Sequence, residues 1–147
     1  VASRVSKSGR GERRGAREAA LQTLYKIDLN KGDIERALRD VAEGLGIDDD
    51  GRRYADRILY GIRDNAEEID ELISSASEHW SLDRMGVVDR GVLRVAVYEL
   101  LYSDDVPYKV AIDEAVEIAK LYGTDESGGF INGVLDSVAK SRGLKKG

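Results

Sequence analysis

Residues 87–102, VVDRGVLRVAVYELLY, are the most informative stretch of this chain. Eleven of the sixteen are apolar. The other five, Asp89, Arg90, Gly91, Arg94 and Glu99, scatter round a helix axis instead of forming one wide polar face. A helix apolar nearly all round is buried within its own domain. The run is too short and too charged to span a bilayer, which takes about 20 apolar residues. A buried strand is the competing reading, because Val is frequent here; the length, and Arg90 and Arg94 one turn apart, favour a helix. This segment is therefore expected to be the rod on which other helices pack.

The rest of the composition agrees with an all-α chain. There is a single Pro in 147 residues, and Ala, Leu, Glu, Arg and Asp are abundant. That length suits one domain, with room for two sub-bundles. There is no Cys and only one His, which excludes a disulfide framework, a thiol nucleophile and a thiolate metal site. No metal or cofactor is expected. No signal peptide or long apolar run is evident, so the reading is cytoplasmic.

The net charge of −5 is unevenly distributed. Arg4, Lys7, Arg10, Arg13, Arg14 and Arg17 face only Glu12 in residues 1–17, giving +5. Lys140, Arg142, Lys145 and Lys146 give +4 at the other end, leaving −14 on residues 18–139. A basic arm on an acidic body suits a nucleic-acid partner. Residues 1–12 read as a flexible basic tail and 141–147 as a second one. The folded part is 13–140, with sub-bundles of about 13–64 and 65–140.

Along the chain, a first helix is expected over about 13–29, with Ala20, Leu21, Leu24 and Tyr25 as its apolar stripe. Arg13, Arg14 and Arg17 then share one side of its first turn, where cations oppose the macrodipole by roughly 0.3–1 kcal/mol each. That local conflict points to an anion-binding role, and Arg10 is grouped with them. Asp33 caps a second helix with the stripe Ile34, Ala37, Leu38, Val41 and Leu45. Asp48, Asp49 and Asp50 lack the spacing of a calcium loop and read as a cap with solvated charge. Tyr54, Ala55, Ile58, Leu59 and Ile62 line a third helix. Asn65 to Glu68 resembles a capping box that starts a fourth; one long kinked helix over 51–77 is the alternative. His79 reads as a packing residue and Trp80 as a wedge between bundles. Pro107 precedes a helix over about 109–122, which Gly123 closes as a C′ residue. A last helix opens at Thr124–Ser127 and carries Phe130, Ile131, Val134, Leu135 and Val138. Gly128, Gly129 and Gly133 within it need a reason, either close packing or a ligand surface, since each interior Gly costs about 1 kcal/mol relative to Ala.

No catalytic constellation is legible, and no enzyme is expected. Residues 128–133, Gly-Gly-Phe-Ile-Asn-Gly, do not have phosphate-loop spacing.

Four stretches, in order, resemble the NusB family of bacterial transcription antitermination factors. They are Arg13-Arg14-Gly15-Ala16-Arg17-Glu18 leading to residues 20–25 (ALQTLY), then 89–100 (DRGVLRVAVYEL), 105–120 (DVPYKVAIDEAVEIAK) and 130–136 (FINGVLD). The resemblance spans about 13–139 and implies an all-α fold of about seven helices in two packed sub-bundles. It also implies binding to single-stranded boxA RNA together with the ribosomal protein NusE, within an RNA polymerase antitermination complex on ribosomal RNA operons. It assigns RNA contact to Arg13, Arg14, Arg17, Glu126 and Phe130, to which the charge reading adds Arg10, and links Tyr25 and Asp89 to NusE or RNA. Gly15 interrupts the arginine run, which reduces the expected phosphate contacts. The rival to this reading is a helical protein-interaction adaptor without direct RNA binding. A methyltransferase fusion, which also carries such a domain, has no room here. The chain is expected to be a monomer or a homodimer.

Overall fold

The computed structural model describes residues 9–78 and 80–144, with side chains from Arg13 onward. Among the described residues there are seven α-helices and no strand: α1 (Gly9–Lys26), α2 (Ile34–Leu45), α3 (Asp49–Asp64), α4 (Ala66–Ala76), α5 (Val87–Tyr102), α6 (Tyr108–Tyr122) and α7 (Ser127–Ser141). A 3-10 turn, Leu82–Arg84, precedes α5. The chain divides into two compact units, Val1–Arg63 and Asp64–Gly147. His79 and its packing role lie outside the described residues.

In the first unit α1 packs on α2. The helix of residues 13–29 was expected to start at Arg13 but begins at Gly9, so residues 9–12 are helical, not tail. Arg and Glu are good helix formers, and extending an existing helix costs far less than nucleating one. Asp33 caps α2 by accepting from the Arg36 N–H at 3.1 Å, and Gly46 closes it at φ 70°. Ile34, Ala37, Leu38, Val41 and Ala42 are its buried residues. Asp48 caps α3 by accepting from the Gly51 N–H at 2.8 Å, which accounts for the first of the three aspartates. Tyr54, Ala55, Ile58, Leu59 and Ile62 bury one face of α3. Burial raises the affinity of Asp56 for its proton, as does the nearby charge of Glu35, with Arg52 opposing.

In the second unit α5 contacts α4, α6 and α7. Nine of its residues are buried, among them Leu93 and Val97 at 0 % exposure. Arg94 reaches across to Asp70 of α4 with two parallel bonds of 2.9 and 3.0 Å, a bidentate pair. Arg90 donates to the Leu82 carbonyl at 3.0 Å and ties down the 3-10 turn.

Three local expectations are corrected in this unit. Asn65 makes no side-chain cap on α4. Its Oδ1 lies 3.1 Å from the Tyr102 hydroxyl, which also meets Glu68, so the residues read as a capping box serve to join α4 to the end of α5. Donation to the Glu68 carboxylate pushes the Tyr102 hydroxyl above its usual range. Trp80 is not a wedge: it is 51 % exposed and lines an open groove with Ser74, Glu78, Ser81 and Arg84. Met85, 7 % exposed, is the nearby side chain that is buried instead. Finally, Gly123 closes α6 without a left-handed conformation, at φ −102° and ψ −153°. A Cβ there would stand 2.4 Å from Ser127 Oγ and 2.8 Å from the Ala119 carbonyl, so close approach is what demands glycine.

Candidate nucleic-acid interface

The sequence-selected residues fall into two groups, one in each unit. Arg13, Arg14, Arg17 and Tyr25 lie on α1 in the first; Asp89, Glu126 and Phe130 lie in the second. By sequence, residues 1–63 hold 14 basic and 11 acidic side chains, a net +3, and residues 64–147 hold 9 and 17, a net −8.

On α1 Arg13 and Arg14 occupy the second turn and Arg17 the third, because the helix begins at Gly9. The dipole conflict inferred for Arg13 and Arg14 is therefore weaker than a start at Arg13 implies, since the effect fades beyond the first turn. The Arg10 side chain lies outside the described residues. Arg13 and Arg14 are half-buried. Arg17, grouped with them for anion binding, is only 2 % exposed. The reason is tertiary. Tyr54 of α3, buried at 6 % exposure, presents its ring to α1. The Arg13 guanidinium carbon sits 4.4 Å from the ring centroid and that of Arg17 6.0 Å. A third guanidinium, that of Arg57 on α3, stands 5.2 Å from the same centroid. An aromatic ring draws cations to its face, and guanidinium groups stack there readily. Gly15 does not merely interrupt the arginine run. A Cβ on it would lie 2.9 Å from Ile47 Cδ1, so the glycine admits the loop after α2.

Tyr25, expected in the α1 stripe, is 71 % exposed near the helix end. Ala16, Ala19 and Ala20, all at 0 % exposure, carry the burial instead. Asp89, third residue of α5, is half-buried, and its Oδ1 is buried with no hydrogen-bond partner among the described residues.

The start of α7 is built by a local loop. The Thr124 N–H donates to Ser127 Oγ at 2.9 Å, and the Glu126 N–H donates to Thr124 Oγ1 at 3.3 Å. The three glycines separate here. Gly128 is buried, and a Cβ on it would stand 3.4 Å from the Lys120 side chain, so it fits against α6 and not against α5. Gly129 and Gly133 have open space where a Cβ would be. Glu126, Gly129, Phe130 and Gly133 recur at helical spacing and share one face. Of these, Phe130 is half-buried and the other three are exposed. The face is thus an aromatic ring set in bare backbone, with a carboxylate at its N-terminal edge.

Tyr54 and Arg57 are the members that sequence reasoning missed. Tyr54 reads from sequence only as core, and nothing in α3 announces which arginine reaches its ring. Among the described residues no group of three His, Cys, Asp or Glu could hold a metal ion, and no helix is long and apolar enough to cross a membrane.

These features define a class: a small all-α protein of two helical units, one net cationic and one net acidic, suited to a polyanion and a basic partner. The NusB family model matches residues 14–140, and the chain belongs to the NusB family. A transcription antitermination protein NusB from Desulfosudis oleivorans is 46 % identical over 134 residues, covering 89 % of this chain and 87 % of that one. The crystal structure of T. maritima NusB superposes with a TM-score of 0.79 at 46 % identity, covering 87 % of this chain and 90 % of that one. A crystal structure of antitermination factors NusB and NusE in complex with dsRNA gives a TM-score of 0.78 at 31 % identity, covering 88 % and 97 %.

Proposed function

We propose that this protein is a bacterial transcription antitermination factor that binds boxA RNA, as a single strand, together with the ribosomal protein NusE. Family membership supports the activity, and the relative solved with NusE and RNA supports the two partners. The observation that carries the RNA contact is the exposed face of α7, where Phe130 stands between two glycines with no packing role. RNA sequence is read mainly from unstacked bases, and a base stacked on an aromatic ring contributes about 1–3 kcal/mol. Bare backbone at Gly129 and Gly133 lets a base approach the helix. Glu126 at the edge of this face can accept from a base amino group.

Arg10, Arg13 and Arg14 contact phosphates in this reading, and Arg17 holds Tyr54 in position. Three such contacts give a log–log salt slope near −2 on single-stranded RNA. The second unit, at −8, presents a surface suited to a basic ribosomal protein, steering encounter and limiting non-specific RNA binding. Tyr25 and Asp89 are assigned to the NusE contact: Tyr25 offers an exposed ring, and Asp89 an oxygen awaiting a donor. The protein acts by binding, without catalysis, in the cytoplasm, where the antitermination complex forms on RNA polymerase.

The test is fluorescence anisotropy of a labelled boxA RNA and a scrambled control, with and without NusE. Preference for boxA that sharpens on adding NusE supports the composite site. Binding to NusE with no RNA bound in any combination overturns the RNA assignment and leaves a protein-interaction adaptor.

A further inference from the structure

We propose that Arg57 of α3 is a further phosphate-contacting residue, which forms with Arg13 a two-guanidinium clamp across the Tyr54 ring. The inference rests on the RNA-binding reading above and extends its cationic surface from α1 onto a second helix.

Three observations carry it. Arg13 and Arg57 approach one ring at 4.4 and 5.2 Å from its centroid, so their charges lie within about 10 Å of each other although 44 residues separate them in sequence. Second, Arg57 is exposed, and no carboxylate among the described residues pairs with it. Its neighbour one turn back, Arg53, is by contrast bound to Asp50. Third, the ring that gathers these groups is itself fixed, with Tyr54 at 6 % exposure in the core of the first unit.

Guanidinium groups gathered at one ring concentrate positive charge on a small part of the first unit, and such a concentration attracts a phosphate. A planar guanidinium already held against a ring also loses less freedom on binding than a free side chain, and its fork matches phosphate oxygens bidentately. Arg17, 2 % exposed beside the same ring, is a positioning residue here, whereas Arg57 is open to a ligand. The partner class is an RNA backbone, read without base preference, because the clamp offers only charge and N–H donors.

The experiment compares the full-length protein with Arg57→Gln, Arg57→Lys and Arg13→Gln in the anisotropy titration with NusE, at salt concentrations from 50 to 200 mM. Arg57→Gln is expected to weaken boxA and scrambled RNA alike, by about 3- to 10-fold, and to flatten the salt slope by about 0.7. Arg57→Lys is expected to keep the slope. Thermal melts of each variant serve as the folding control. If Arg57→Gln leaves affinity and slope unchanged while Arg13→Gln weakens binding, the clamp is wrong and the RNA-binding reading stands. Weaker binding with a lowered melting temperature and an unchanged slope assigns Arg57 a structural role and also overturns the clamp. No RNA binding by the unmodified protein overturns both.

Discussion

Replacing Gly133 by Ala tests whether the open face of α7 exists for a ligand. Gly133 is the seventh of the fifteen residues of α7, in its interior, where Gly is about 0.8–1 kcal/mol less favourable than Ala. Part of that cost is unfolded-chain entropy, which Ala reduces. Nothing lies within 4 Å of a Cβ built at Gly133, so no clash subtracts from the gain. The variant should therefore be stabilised by about 0.5–1 kcal/mol, raising Tm by about 1–4 °C for a chain of this size. Gly129→Ala should gain less, because residue 129 lies in the first turn, where fewer helical bonds depend on it. An RNA surface on this face gives a reason to keep the glycine in spite of its cost. Each methyl would stand beside Phe130 on the face assigned to RNA, so both variants should bind boxA RNA more weakly while melting higher. Calorimetry and the anisotropy titration, run on the same preparations, read the two effects separately. A lower Tm for Gly133→Ala would show that this side of α7 is covered and refute the open-face argument. A higher Tm with unchanged RNA affinity would remove the glycine face from the binding site.

Gly123→Ala should behave oppositely: its Cβ would press on Ser127 Oγ and the Ala119 carbonyl, costing about 1–3 kcal/mol, and an unchanged melting curve would refute the close-approach account. Phe130→Ala should narrow the affinity ratio between boxA and scrambled RNA; an equal loss on both would make Phe130 a general contact without a part in sequence preference. Asp56 has its pKa raised above 3.8 by burial and by Glu35, so the folded state holds the proton more tightly than the unfolded chain does. Its contribution to stability is therefore complete below about pH 3.8 and is lost as pH rises through the folded-state value. Asp56→Asn should raise the urea midpoint at pH 7 slightly, because the amide carries no charge to desolvate. That gain should shrink as pH falls toward 3.8, and a pH-independent difference would exclude the titration as its source.

The all-α class and the helix order were legible because apolar residues recur at helical period and because caps are local. Asp33 and Gly46 bound α2 through atoms within a few residues of them, and α5 spans Val87–Tyr102, the stretch selected at the outset. The break between α3 and α4 was visible at Asn65, although the Asn65 and Glu68 side chains turned out to serve Tyr102, 34 or more residues away. Periodicity misplaced Tyr25, and residue type alone misplaced Trp80. An aromatic residue at helical spacing reads as core whether or not another element arrives to cover it.

The candidate site divides along the same line. The arginines of α1, Glu126 and Phe130 could be named from residue type and motif, because charge and aromatic character belong to the side chain itself. Which arginine faces solvent could not. Arg13 and Arg17 differ in exposure although both lie near the ring of Tyr54, which reaches them only through the packing of α3 in the first unit. Likewise the three glycines of α7 look alike in sequence, and only α6 distinguishes Gly128 from Gly129 and Gly133. The sequence by itself determined the helices, their order and the separation of charge between the two halves, since propensity, caps and formal charge act over a few residues. The tertiary structure alone decided which cations remain exposed, which glycines stay bare and which rings are covered, because burial depends on neighbours that lie close in space and far along the chain.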